Sequence, residues 1–164
     1  MRLFIGSFAK LNNYQKIKED FSFLEGKWVE PRNIHLTLLF LGEVQVPQSV
    51  IFRLRSLRYE KTDIPIQGLG FFGSPPRLLY ARVADDGLAQ LHERICKTLD
   101  FEPNQPFLPH ITLCRIKRLK NRDRFIKKIR DYDESKLGKL RLEVTLIKSE
   151  LTKRGPIYTP IATL

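Results

Sequence analysis

A short motif, His-X-Thr-X, occurs twice in this 164-residue chain and constrains its fold more than any other feature. The first copy is His35–Leu38, and the second, 75 positions later, is His110–Leu113. In a β-strand, residues i and i+2 point to the same face, so each imidazole stands beside a threonine hydroxyl while the alternate apolar residues point into a core. Each copy therefore predicts a strand that builds half of one polar site.

Apolar periodicity predicts the elements around the two copies. It predicts helices over residues 12–24, 47–57, 88–99 and 121–132, a turn near Gly26, a proline-containing loop over 101–109, and strands over 2–8, 34–41, 63–72, 77–83, 108–116, 139–151 and 157–164. The order strand, helix, motif strand, helix, paired strands occurs twice in outline. We therefore expect one α+β domain over 1–164, with two pseudo-symmetric lobes that face each other across a central cleft. Each lobe is expected to be a mainly antiparallel sheet with helices outside.

Composition and charge narrow the class of protein. Lys and Arg total 29 against 18 for Asp and Glu, a net charge of +11 that favours polyanionic partners. Two cysteines, Cys96 and Cys114, are too few for a disulfide framework and lack metal-ligand spacing. No apolar run has the length of a signal peptide core or a membrane span. We expect a cytoplasmic monomer that does not bind membranes.

Two histidines and two threonines on facing strands predict acid and base chemistry at a phosphoryl group. A neutral imidazole can take a proton from water while a protonated one gives a proton to a leaving oxygen. The hydroxyls of Thr37 and Thr112 would hold a phosphoryl oxygen, so neither a metal nor a cofactor is required. The two histidines also lack a third ligand at metal-binding spacing. Arg115 lies on the opposite face from His110 by simple alternation, unless a β-bulge re-aims it.

Two segments, 33–43 and 107–115, resemble the 2H phosphoesterase superfamily, and within it the RNA 2',3'-cyclic phosphodiesterases of the ThpR/LigT type. Residues 2–5, 71–73 and 149–160 are also similar to that family in order and spacing. The resemblance implies a two-lobed fold with a basic cleft that hydrolyses an RNA terminal 2',3'-cyclic phosphate to a 2'-phosphomonoester.

The resemblance also implies roles for individual residues. It implies His35 as the proton donor to O3', His110 as the proton acceptor that activates water, and Thr37, Thr112 and Arg115 as phosphate-binding residues. The expected partner is RNA with a 2',3'-cyclic phosphate end, and small cyclic nucleotides are a further substrate class.

Two other functions remain open from the sequence. A 2'-5' RNA ligase would run the same acid and base chemistry backwards and join a cyclic phosphate end to a 5'-hydroxyl. A non-catalytic RNA-binding module would use the basic cleft without needing either histidine. The two intact motifs argue against the second of these alternatives.

Three further features have alternative interpretations. Residues 115–130 hold nine basic residues and one acid, and form either a solvated helix face or a track for the RNA backbone beside the cleft. Phe72, Phe107 and Tyr158 are candidates for stacking on a base, although most phenylalanines in a small domain belong to its core. His92 has no threonine partner and is expected to be a partly exposed helix residue without a catalytic role.

Overall fold

The computed structural model describes residues 1–85 and 87–164, and its elements follow the predicted order closely. The strands are β1 (Arg2–Phe8), β2 (Leu24–Trp28), β3 (His35–Glu43), β4 (Asp63–Phe72), β5 (Leu78–Val83), β6 (Ile111–Leu119), β7 (Lys136–Arg141), β8 (Thr145–Thr152) and β9 (Gly155–Thr163). The helices are α1 (Tyr14–Asp20), α2 (Pro47–Leu54), α3 (Leu88–Leu99) and α4 (Arg122–Asp131), and a single 3-10 turn spans Pro31–Asn33.

Within these described residues, the nine strands form one antiparallel sheet in the order β7-β4-β5-β6-β3-β1-β8-β9, with β2 paired to the outer part of β6. Its two central strands, β3 and β6, share one paired position, Leu36 with Ile111. The strands diverge on either side of that pair. The sheet is thereby divided into a His35 lobe (β3, β1, β8, β9) and a His110 lobe (β6, β5, β4, β7, β2).

The duplicated order is present in the fold, and it confirms the predicted two-lobed α+β architecture. From the centre outwards, β3, β1 and β8 occupy the positions that β6, β5 and β4 occupy on the other side. The repeats are therefore β1-α1-β3-α2-β4 and β5-α3-β6-α4-β8, with β2, β7 and β9 as additions. Each repeat gives its last strand to the opposite lobe, and α3, which follows β5, packs against β3. The lobes are consequently interlocked along the chain.

The predicted helix over 12–24 is confirmed over Tyr14–Asp20 but is shorter than expected, and the predicted turn near Gly26 is wrong. Helix α1 ends at Asp20, and the next residues form β2, which pairs with β6. Gly26 lies within that strand, where an added Cβ would sit 2.6 Å from the carbonyl oxygen of Arg115. Glycine therefore serves close contact between two strands here, which a local pattern does not distinguish from a turn.

The prediction of one strand over 139–151 is also wrong. Strand β7 pairs with β4 in the His110 lobe, whereas β8 pairs with β1 in the His35 lobe. Residues 142–144 connect the lobes, and Leu142 and Val144 are buried in the crossing. Because the apolar pattern continues through the crossing, the sequence reads as a single strand.

The two faces of the sheet have different roles. Helices cover one face, and the core between them contains Phe21 and Phe125, whose rings lie 5.8 Å apart. Two consecutive residues of β4 point to opposite faces of the sheet. Phe71 contacts Phe125 under α4, whereas Phe72 contacts His110. The face opposite the helices therefore carries the histidine motifs. In the described part of the chain, no helix is long and apolar enough to cross a membrane.

Candidate active site

The two histidine motifs meet at the single pair that joins the lobes. Leu36 pairs with Ile111 in antiparallel orientation, and both side chains are fully buried. Their neighbours His35, Thr37, His110 and Thr112 accordingly lie around this pair on the opposite face. Because residues one position either side of a bridge flank it on one face of the sheet, the two imidazoles and the two hydroxyls surround a single point.

Both imidazoles are held by the backbone in the same way. Nδ1 of His35 lies 2.7 Å from the carbonyl oxygen of Asn33, and Nδ1 of His110 lies 2.7 Å from that of Leu108. A carbonyl oxygen only accepts, so Nδ1 donates in both residues and Nε2 is left for the reaction. Asn33 is itself buried, and its side-chain amide donates to the Pro156 carbonyl at 3.0 Å.

The threonine of the first motif contacts its histidine directly. Oγ1 of Thr37 lies 3.1 Å from Nε2 of His35, so the hydroxyl donates to the neutral ring. Within the described residues, the corresponding bond between Thr112 and His110 does not form. The two half-sites are therefore similar in backbone geometry and different in side-chain contacts.

A β-bulge in each motif strand sets the face of the residue five positions after the histidine. In β6, Thr112 pairs with Tyr80 and Cys114 with Leu79, which leaves Leu113 as the extra residue. Leu113 and Cys114 are both buried, so exposed Arg115 returns to the face of His110. This is the local bend that the predicted role of Arg115 requires.

The equivalent bulge in β3 affects Phe40. Thr37 pairs with Gly6 and Leu39 with Ile5, so Leu38 is the extra residue there. Leu38 and Leu39 are buried, whereas the Phe40 side chain is 66% exposed. Phe40 thus occupies the position in β3 that Arg115 occupies in β6.

The electrostatic environment of His35 favours its neutral form. Burial is the largest cause that lowers its pKa below 6.5, and the charges of His110 and Arg115 lower it further. The hydrogen bond to the Asn33 carbonyl acts in the opposite direction and only partly compensates. Desolvation raises the pKa of Tyr158, and the charge of the Arg115 guanidinium lowers it in part. Arg115, His35 and Tyr158 consequently share one electrostatic environment.

Aromatic rings line both imidazoles. Phe4 and Tyr158 lie 4.9 and 5.1 Å from the His35 ring, measured between centroids. Phe72 and Tyr80 lie 4.9 and 5.5 Å from the His110 ring. The structure therefore brings Tyr158 and Phe72, both predicted as stacking residues, to the two histidines.

Phe107 takes a different position. Its ring stacks on His92 at 4.4 Å with an interplanar angle of 8°, on the side of α3. Phe4 and Tyr80, which do line the site, were missed by the sequence analysis. Both lie on strands that flank a motif strand, β1 beside β3 and β5 beside β6. That neighbourhood follows from strand order, which no local pattern specifies.

Most of the basic stretch 115–130 lies away from the histidines. Helix α4 packs Phe125 against Phe71 on the helix-covered face of the sheet. Its exposed cations therefore lie behind the sheet, whereas Arg115 lies on the histidine face. Among the residues the structure describes, no cluster of three or more His, Cys, Asp or Glu side chains is arranged to hold a metal ion.

Comparisons with known proteins agree with this geometry. A model of the 2'-5' RNA ligase superfamily matches residues 10–152. An RNA 2',3'-cyclic phosphodiesterase of Aeropyrum pernix is 38% identical, over 80% of this chain and 81% of that protein. One from Aquifex aeolicus is 32% identical, over 98% of this chain and 95% of that protein.

A solved structure has the same fold. The crystal structure of TT0787 of Thermus thermophilus superposes with a TM-score of 0.73 at 27% identity, covering 100% of this chain and 97% of that one. The resemblance found in the sequence is confirmed, and the chain belongs to the 2'-5' RNA ligase superfamily of 2H phosphoesterases.

Proposed function

We propose that this protein hydrolyses the 2',3'-cyclic phosphate at the end of an RNA to a 2'-phosphomonoester. The observation that carries the proposal is the Leu36–Ile111 pair, which sets two backbone-anchored histidines side by side with two threonines. The relatives from A. pernix and A. aeolicus, both RNA 2',3'-cyclic phosphodiesterases, support the same substrate. Small cyclic nucleotides are a second substrate class.

The reaction needs one base and one acid. His110 takes a proton from water through Nε2 while the water oxygen forms a bond to phosphorus. The bond between phosphorus and O3' breaks, and protonated His35 gives its Nε2 proton to O3', so that the phosphate remains on O2'. Proton balance is kept, because one imidazole gains a proton as the other loses one. The mechanism requires no metal ion and no cofactor.

Phosphate binding is assigned to three side chains. Arg115 is exposed on the histidine face and is always charged, so it can pair with the non-bridging phosphate oxygens. The hydroxyls of Thr37 and Thr112 can donate to the same oxygens, and Thr37 would exchange its contact with His35 for one with substrate. These donors oppose the negative charge that develops on phosphorus oxygens in the transition state.

The lowered pKa of His35 favours a reversed assignment as a second candidate. A lowered pKa suits His35 to the role of base, whereas the acid role requires that the negative charge of a bound phosphodiester restore its proton. A substrate in which sulfur replaces O3' distinguishes the two, since a thiolate leaves without protonation. Alanine at the acid position should be rescued by that substrate, and alanine at the base position should not. Rescue of His110→Ala instead of His35→Ala would establish the reversed roles.

The first experiment identifies the product. An oligoribonucleotide with a 2',3'-cyclic end is incubated with the protein in the presence of a chelator, next to His35→Ala and His110→Ala. We expect a 2'-phosphate, and a loss of about 100- to 10,000-fold in kcat for each variant, the usual contribution of general acid or base catalysis. A 3'-phosphate would leave the reaction class intact but exclude O3' as the leaving group.

Ligation is the alternative that the family description itself favours. Addition of an RNA with a 5'-hydroxyl would convert hydrolysis into a 2'-5' bond by the same acid and base. Accumulation of joined product at high RNA concentration, lost in both histidine variants, identifies ligation. RNA binding that survives both substitutions, in a protein without turnover, would identify the non-catalytic module.

The proposal treats residues 1–164 as one two-lobed domain that acts as a cytoplasmic monomer. Support for a monomer comes from the site itself, because a single chain supplies both histidines, both threonines and Arg115. Sedimentation of the active protein at enzyme-assay concentrations measures the oligomeric state.

A further inference from the structure

His92 of α3 is the histidine outside the two motifs, and it touches a segment belonging to each of them. Its Nδ1 lies 2.7 Å from the carbonyl oxygen of Leu38, the last residue of the first motif. Its ring stacks on Phe107, in the loop that leads into the second motif. Neither contact follows from the sequence, since α3 is separated from β3 by two strands and a helix along the chain.

The Leu38 carbonyl belongs to the bulge of β3. Leu38 is the extra residue of the bulge, so no residue of β1 pairs with it, and it lies two positions beyond the single Leu36–Ile111 pair with β6. In the described part of the sheet, Leu38 therefore has no paired residue on either side. The equivalent carbonyl in β6, that of Leu113, accepts hydrogen bonds from the backbone N–H of Val29 at 2.8 Å and from the hydroxyl of Tyr14, on α1, at 3.2 Å. Val29 follows β2, a strand that has no counterpart beside β3 among the described strands. A helix side chain thus donates to the bulge carbonyl in both lobes, Tyr14 to Leu113 and His92 to Leu38. In the His35 lobe, the imidazole of His92 takes the place of the backbone donor.

The second contact reaches the loop before His110. Phe107 directly precedes Leu108, whose carbonyl oxygen accepts from Nδ1 of His110. Residues 101–109 have no helix or strand, so side-chain contacts such as this stack fix their position. The ring of His92 therefore lies against the segment that orients the second imidazole.

The remaining nitrogen of His92 is also engaged. Sγ of Cys96, one helical turn further along α3, lies 3.7 Å from Nε2 of His92. Burial raises the pKa of the Cys96 thiol, so the thiol stays protonated and donates a hydrogen bond to Nε2. This leaves Nδ1 as the protonated nitrogen, which is the tautomer that the Leu38 carbonyl needs.

We propose that His92 is a positioning residue that holds both catalytic half-sites in register, the first through the Leu38 carbonyl and the second through Phe107. It takes no part in proton transfer. The inference rests on the proposed function for its kinetic consequence, whereas its structural consequence can be measured in the ligand-free protein.

Two substitutions separate the two contacts. His92→Phe keeps a ring against Phe107 and loses the donor, whereas His92→Asn keeps an N–H donor near the Nδ1 position and loses the ring. We expect the imidazole NMR signals of His35 to respond mainly to His92→Phe and those of His110 mainly to His92→Asn. With a cyclic phosphate substrate, both variants should lose roughly 10- to 100-fold in kcat with little change in KM, as for a displacement of reacting groups by up to about 1 Å.

A packing defect on the same helix provides the control. Ile95→Val shortens a fully buried side chain of α3 and leaves in place the contacts of His92 with the Leu38 carbonyl and with Phe107. It should lower the thermal midpoint while leaving kcat and both imidazole signals unchanged. The inference is overturned if the His92 variants lower the thermal midpoint like Ile95→Val and keep both signals and kcat. A wild-type protein without turnover would overturn the proposed function alone, because the NMR comparison would still decide the role of His92.

Discussion

His35 is the residue whose chemistry depends most on its surroundings. Burial, together with the charges of His110 and Arg115, lowers its pKa in the folded protein. In the unfolded chain the same side chain returns to its ordinary value near 6.5. Folding therefore excludes a proton from this position at mildly acidic pH, which links stability to pH.

This linkage predicts the sign of a pH effect. As the pH falls through 6.5, the unfolded chain binds a proton that folded His35 does not, so the free energy of unfolding decreases until the pH is below the folded pKa. His35→Gln removes this contribution, and its free energy of unfolding should depend less on pH between about pH 7 and 5. Urea titrations of both proteins across that range measure the difference. Equal pH dependence in the two proteins would contradict a lowered pKa for His35.

Phe40 is a second residue whose role follows from its placement. Its ring lies on the histidine face, 6.0 Å from the Phe4 ring, which in turn contacts His35. A phenylalanine 66% exposed beside the proposed phosphate site is positioned to stack on a base of the substrate. Phe40→Ala should therefore weaken transition-state binding of a cyclic nucleotide by about 1 to 3 kcal/mol, measured as kcat/KM.

Phe52 is the matched control for this prediction. It is 70% exposed, but it lies on α2, on the helix-covered face of the sheet. Phe52→Ala removes a side chain of the same type from an exposed position on the other face of the sheet, and it should leave kcat/KM unchanged. Equal losses in the two variants would mean that Phe40 does not contact substrate.

At the scale of elements, the two motif strands were predictable because their signal is local. Alternation of polar and apolar residues over His35–Leu38 and His110–Leu113 specifies a strand without knowledge of its neighbours. The bulges that follow were not predictable, since an extra residue is defined only by what the adjacent strand pairs with. The face of Arg115 consequently needed the structure.

Strand β2 was missed for a related reason. Its residues pair with β6, about ninety positions later in the chain, and its apolar spacing also fits the end of a helix. Gly26 is the residue that makes this pairing close, because a Cβ there would meet the Arg115 carbonyl oxygen at 2.6 Å and Sγ of Cys114 at 2.8 Å. The strand therefore supports the segment of β6 that carries Arg115.

Gly26→Ala tests that support. Overpacking of this contact should destabilise the protein by about 1 to 3 kcal/mol. Displacement of β6 should also lower kcat/KM through Arg115. Glu25→Ala, at the preceding position of the same strand, removes an exposed ion pair with Arg118 and should change stability by no more than about 1 kcal/mol. Urea denaturation and steady-state kinetics of both variants measure these effects, and an unchanged Gly26→Ala protein would show that β2 can shift away without consequence.

At the scale of the whole molecule, sequence duplication predicted two lobes but not their interlocking. Each repeat donates its last strand to the other lobe, β4 beside β5 and β8 beside β1. The apolar pattern of residues 142–144 is continuous through one of these crossings, so a reading along the chain has no boundary to detect. The consequence for function is that the two histidines cannot move apart as independent domains, because each lobe contains strands from both repeats.

The net charge of +11 is the remaining property of the whole molecule, and α4 contributes five basic residues and two acids to it. In the described part of the chain, none of its five basic residues forms an ion pair: Arg122, Arg124, Lys127, Lys128 and Arg130. Arg124 lies one turn from both Lys127 and Lys128, and like charges one turn apart on a helix repel one another. A polyanion bound along α4, on the helix-covered face of the His110 lobe, would neutralise these charges and remove that repulsion.

Lys127→Gln, Lys128→Gln and Arg130→Gln in one protein should therefore weaken binding of long RNA and reduce its dependence on salt. Each lost contact with single-stranded RNA lowers the slope of log affinity against log salt by about 0.7, so three lower it by about 2. Hydrolysis of a cyclic mononucleotide should not change, because α4 lies on the face opposite the histidines. Replacement of Lys61, Arg94 and Lys97 by glutamine removes the same net charge elsewhere and separates local contact from general attraction. If both triple variants shift the slope equally, α4 is a solvated helix face and the RNA extends from the histidine site in another direction.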